Sequence, residues 1–121
     1  MPGYVDVYAV PVSKRHLPAY KLLARRWGSI MKDYGILEYR EFASDDRESR
    51  FGVPFKLKKG EVMITAVVEF KSKAHRNRAN DRAAKDPRML RIMNDPMPFD
   101  MKRFVMGGFK TIVEVKSAKR R

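Results

Sequence analysis

The segment Glu61 to Phe70 (EVMITAVVEF) is apolar on both of its faces, with Val62, Ile64, Ala66, Val68 and Phe70 alternating with Met63 and Val67. Successive side chains of an extended chain point to opposite sides of a sheet, so a strand of this kind needs cover above and below. Tyr4 to Val12 (YVDVYAVPV) repeats the pattern, with Val5, Val7 and Ala9 opposing Tyr4, Tyr8 and Val10. A chain with two such strands cannot leave one face of its sheet to water.

The cover available within the chain is limited. From Leu17 the apolar period changes to three and four, through Tyr20, Ala24, Trp27, Met31 and Tyr34, which predicts a helix ending near Gly35. Pro18 falls in its first turn, where a missing N–H costs little. Ile36 to Ala43 reads as a second strand. Ser44 to Gly60 is a long connection expected to carry short structure or function, pinned by Phe51, Val53, Phe55 and Leu57. Ser72 caps a second helix running to about Lys85, and Asp86-Pro87 breaks it before a short turn through Met89, Leu90 and Met93. Asn94 to Met101 is a loop, and Arg103 to Val115 is the last strand, interrupted by Gly107-Gly108.

The order strand, helix, strand, strand, helix, strand defines the fold class as α+β, a ferredoxin-like β-α-β-β-α-β sandwich with an antiparallel sheet. Its two helices cover one face. Four strands roughly 20 Å long and ~4.8 Å apart leave on the order of 400 Å² of apolar surface on the other. A second copy covers it most economically, because a twofold interface reuses one self-complementary patch. The expected partner is therefore a homodimer mate docked through the sheet face.

With 121 residues, 44% hydrophobic and 34% charged, the chain matches one globular domain over residues 1–115, followed by a basic tail, 116–121, expected to be flexible. Cysteine is absent, which excludes disulfides, thiolate chemistry and cysteine-ligated metal. No basic stretch leads into an apolar run, and no window reaches the roughly 18 apolar residues of a membrane span, so the expectation is a cytoplasmic protein with no membrane partner. His16 and His75 form no metal-ligand spacing, and no metal is expected.

The opening YVDVYAVPV, then YGILEYRE, KLKKGEVMITAVVEFKSKAHRNRAN, DPRM, MPFDMKRFVMGGF and IVE together resemble the YbaA-like family, called domain of unknown function 1428. The resemblance runs in order over nearly the whole chain. It implies membership of the dimeric α/β-barrel superfamily, in which two ferredoxin-like sheets pack face to face. That superfamily includes cofactor-free monooxygenases, dehalogenation-related small proteins and haem enzymes. The family brings no established activity and no catalytic residues. A haem on His75 is disfavoured by its place on an exposed helix, and no cofactor is expected. The second helix and the KSAKRR tail are more basic than the resemblance leads one to expect.

The leading functional expectation is an unknown small molecule bound in a pocket between helices and sheet, with an enzyme left open. Candidate residues are Asp6, Tyr8, Trp27, Arg40, Thr65, Glu69, Phe99, Gly107 and Gly108, with Met63 and Met106 in the wall. Polar side chains set among apolar strand neighbours suit ligand orientation, although register-fixing ion pairs use the same residues. The mid-strand glycines mark a bulge, a close backbone approach or an open pocket mouth.

The net charge of +13 raises a second reading, nucleic acid. At 100° per residue Lys71, His75, Arg78, Arg82 and Lys85 share one helix stripe, to which Lys119, Arg120 and Arg121 of the tail could add. No nucleic-acid motif accompanies them, and solvated cations on an exposed helix are the ordinary case.

Overall fold

A computed structural model describes residues 3–46 and 49–118. Four strands, β1 (Tyr4–Ser13), β2 (Glu38–Ala43), β3 (Glu61–Phe70) and β4 (Val105–Lys110), form one sheet in the order β2-β3-β1-β4. Each neighbouring pair is antiparallel. Helix α1 (Leu17–Lys32) joins β1 to β2, a single turn α2 (Gly52–Phe55) interrupts the β2–β3 connection, and α3 (Lys73–Ala83) and α4 (Pro87–Asn94) join β3 to β4. This is the ferredoxin-like arrangement, in which β3 inserts between the two strands of a β-α-β unit.

Local chemistry sets these boundaries. Gly35, at φ +87°, takes the left-handed conformation that ends α1. The Ser72 hydroxyl accepts the His75 N–H at 3.1 Å to start α3. The Asp86 carboxylate accepts the Arg88 N–H at 2.8 Å, with Pro87 in the first turn, and so starts α4. The stretch expected as a short turn is thus a full helix with its own cap, burying Met89 and Ile92.

Even-numbered residues of β1 and β3 face the helices. Val10, Val12, Ile64, Val68 and Phe70 are buried there, against Ile30 and Met31 of α1 and Ala79 and Ala83 of α3. The alanines let α3 lie close to the sheet. Two buried clusters result, one around Phe70 with Trp27 packed against it and one around Val10 with Phe104 packed against it.

Three expectations are corrected. The last strand stops at Lys110, not Val115, because its partner β1 begins at Tyr4 and the register ends at Tyr4 opposite Lys110. Beyond it Ile112, Val113 and Val115 are exposed. The second strand starts at Glu38 rather than Ile36. The β2–β3 connection is not pinned by Phe51 and Val53, which are exposed. Polar contacts hold it: Arg103 donates to the Phe55 carbonyl at 3.3 Å and pairs with Glu61, and the Lys58 N–H donates to Glu61 at 2.8 Å.

Candidate functional site

Between the sheet and the three longer helices lies a cavity of about 360 Å³. Its wall is aromatic. The Trp27 ring meets Tyr8 edge-on at 6.0 Å and Tyr39 at 5.0 Å, and Phe104 stacks on Tyr8 and Phe99 at 5.7 Å each. Met31, Met89 and Ile92 close the floor, while the exposed Met93, Met101 and Met106 form the rim. Methionine and aromatic surfaces of this kind accept flat apolar molecules of varied outline.

One carboxyl breaks the apolar lining. Glu41, on the helix-facing side of β2, accepts hydrogen bonds from the Tyr20 hydroxyl at 2.7 Å and from the Tyr39 hydroxyl. Each oxygen keeps a lone pair for a ligand. Burial raises the Glu41 pKa above the ordinary carboxylate value, and the two tyrosine hydrogen bonds only partly offset this. Burial also raises Tyr8, Tyr20 and Tyr39, so all three remain protonated donors across the working pH range. Gly28 of α1 makes the arrangement possible, since a Cβ there would stand 2.7 Å from the Tyr39 ring.

A raised carboxyl has a stability consequence. The folded chain binds the Glu41 proton more tightly than the unfolded chain does, so this stabilising contribution is complete below the ordinary glutamate pKa. It is lost as pH rises through the raised value. Glu41→Gln carries no such charge. Its Tm is expected to exceed the parent's by a few degrees at pH 8 and to lose that advantage at pH 4. Parallel melts at the two pH values check this; a variant equally destabilised at both would contradict it.

The predicted site residues divide by strand parity. Tyr8, Trp27, Phe99 and Met106 line the cavity. Arg40, Thr65, Glu69, Gly107 and Met63 do not, because their register positions place them on the opposite, helix-free face. Asp6 faces the helices but is fully buried beneath the cavity, where it accepts from Arg76 Nε at 2.9 Å and from Asn80 at 3.5 Å. Gly108 serves that cluster: a side chain there would strike the Tyr4 ring, over which the Arg76 guanidinium lies at 5.4 Å. Tyr20, Tyr39 and Glu41 are functional candidates that the sequence reading missed. The signal was present, since Tyr39, Glu41 and Ala43 share one side of β2 and Glu41 is the charged member of that row.

Of the basic stripe, Lys71, Arg78, Arg82 and Lys85 are exposed. His75 is not part of it. Its ring packs edge-on against Phe70, Nδ1 accepts the Lys71 N–H at 3.3 Å, and Nε2 meets the Tyr34 carbonyl at 3.3 Å. The segment forming α3 contains no tyrosine, tryptophan or phenylalanine to stack a base. Lys119, Arg120 and Arg121 lie outside the described residues. Among the described residues, no helix is long and apolar enough to cross a membrane, and no His, Asp and Glu side chains cluster to hold a metal.

Fold and cavity together define a ferredoxin-like α+β domain with an apolar chamber between its helices and its sheet. A solved dimeric ferredoxin-like protein from an uncultured marine organism superposes with a TM-score of 0.58 at 13% identity, over 95% of this chain and 100% of that one. SnoaB, a cofactor-independent oxygenase from Streptomyces nogalater, superposes with a TM-score of 0.60 at 13% identity, over 95% and 98%. At the sequence level, residues 3–101 match the family described as protein of unknown function, DUF1428. The chain belongs to that family. It is 33% identical over 115 residues to the uncharacterized protein YbaA of Escherichia coli K12, covering 92% of this chain and 97% of YbaA.

Proposed function

We propose that this chain is a homodimeric binding protein for a small, largely apolar, ring-bearing molecule that presents a hydrogen-bond donor to Glu41. The observation that carries the reading is the single carboxyl, held by two tyrosines, inside an otherwise apolar aromatic cavity. The two tyrosine hydroxyls offset part of the cost of burying it, and each oxygen still has a lone pair to offer a ligand. The cavity volume suits one bicyclic ring system with room to spare.

Dimerisation is supported by the bare sheet face. Val5, Val7 and Val67 are half-exposed there, and Phe42, Val105 and Phe109 are exposed. Glu38 and Glu69 are directly paired on the same face, an unfavourable like-charge contact that Arg40, 3.8 Å from Glu38, alone relieves among the described residues. A second copy would bring another Arg40 to it. The family's fold relatives include a dimeric ferredoxin-like protein.

β-Naphthol, a flat bicyclic phenol, is a suitable probe. Trp27 is the only tryptophan, so its indole N–H gives one resonance to follow. Titration is expected to shift it saturably with a Kd on the order of 10–100 µM, and Ala24→Phe, which fills the chamber, should abolish the shift. No saturable shift at millimolar β-naphthol would refute the binding reading.

A further inference from the structure

We infer that the chamber is a proton-transfer site that abstracts a proton from carbon next to a ketone carbonyl in a ring-bearing substrate, with Glu41 as the base and the Tyr8 hydroxyl as hydrogen-bond donor to the developing enolate. The inference rests on the binding reading above, with an acidic C–H of the substrate standing where a ligand's hydrogen-bond donor would meet Glu41.

The geometry supplies both halves of the reaction. Glu41 has two oxygens, each already accepting one tyrosine hydroxyl, which fixes the carboxylate in the wall of the chamber and leaves each oxygen with lone-pair capacity unused. The Tyr8 hydroxyl has no hydrogen-bond partner among the described residues, although its ring is fixed by Trp27 and Phe104. It lines the same chamber and lies within electrostatic reach of Glu41. A fixed base and an unused donor lining one largely apolar chamber are what enolisation requires. The carboxylate takes the proton, the C–H electron pair becomes the new carbon–carbon π bond, and the carbonyl π pair moves to oxygen, where Tyr8 donates. Return of the proton to the same or a conjugated carbon completes exchange or isomerisation, so no oxidant, reductant or second reactant is consumed.

The groups facing Glu41 are Tyr39 from its own strand, Tyr20 from α1 and Tyr8 from β1, with the Asn80 amide from α3 also in the wall. None is cationic, so Glu41 has no neighbour that would hold it in a weakly basic form, and its burial strengthens it as a base. A protonated amine would also suit aromatic walls and one carboxylate. The chain's +13 charge argues against that ligand, since the field repels cations and favours a developing enolate.

The test uses β-tetralone, whose enol has nearly the outline of β-naphthol. In deuterium oxide the full-length protein is expected to accelerate exchange of its α-protons, followed by proton NMR, at least 100-fold over buffer. Glu41→Gln should remove that acceleration, and Tyr8→Phe should lower it by about 100-fold, with the parent's far-ultraviolet spectrum retained in both. Asp81→Asn, an exposed acid of α3, should exchange at the parent rate. If β-naphthol and β-tetralone both shift the Trp27 resonance but exchange stays at the buffer rate, the proton-transfer inference falls and the binding reading stands. Exchange that survives Glu41→Gln also overturns it. If neither compound binds, both readings fall.

Discussion

Asp6→Ala is expected to destabilise the fold by about 3 kcal/mol, a large part of the roughly 5–15 kcal/mol that holds an ordinary domain together. Asp6 is 0% exposed, and both its oxygens accept from Arg76 at 2.9–3.2 Å. Removing the carboxylate strands the guanidinium against the Tyr4 ring and leaves the Asn80 amide without its acceptor. The figure sits at the lower end for a broken buried pair because the Arg76 side chain is 19% exposed and can reach some water. Chemical denaturation of Asp6→Ala, Arg76→Met and the double variant separates the contributions. The double variant should lose less than the sum of the singles, since it leaves no unpaired buried charge. A loss below about 1 kcal/mol for Asp6→Ala would show that the pair does not hold α3 to β1.

That ion pair also shows where sequence reasoning stops. Asp6 and Arg76 are seventy residues apart in the chain, and nothing local to either indicates the other. Asp6 therefore reads from sequence as a ligand-facing acid when it is a buried tie. The elements themselves were legible: the third strand is found at Glu61–Phe70 as its β-branched run indicates, and the first helix follows its apolar period from Leu17. The strand faces were harder. When both sides of a strand are apolar, alternation fixes which residues lie together but not which set meets the helices. Arg40, Thr65 and Glu69 accordingly fall on the bare face, while Glu41, one residue along from Arg40, looks into the chamber. The end of the last strand was illegible for a different reason. Val113 and Val115 have strand-forming side chains, but a strand is only as long as the neighbour that pairs with it, and β1 offers no register beyond Tyr4.

The bare face leads to the second large effect. Val7→Lys is expected to convert the proposed dimer into a folded monomer. Val7 lies opposite Val67 on one side and Gly107 on the other, at the middle of the helix-free face. Gly107 presents no side chain there, and a Cβ would meet nothing nearer than the Phe109 ring at 3.5 Å, so a partner's side chain has room to enter beside Val7. A twofold interface places two lysines in apolar surroundings at once. Each uncompensated charge costs several kcal/mol, which should raise the dimer Kd by at least about 1,000-fold. The isolated chain is unharmed, because Lys at position 7 points into water and the Phe70 and Val10 clusters lie on the other side of the sheet. Sedimentation should give two chains for the parent and one for Val7→Lys, with the far-ultraviolet spectrum retained. The parent's Tm should rise with protein concentration, and the variant's should not. Leu22→Lys, on an exposed position of α1, should behave as the parent in every respect. A parent that sediments as one chain, with Phe42, Val105 and Phe109 accessible to solvent, would mean that this face is stable in water without a partner and would remove the basis for the dimer.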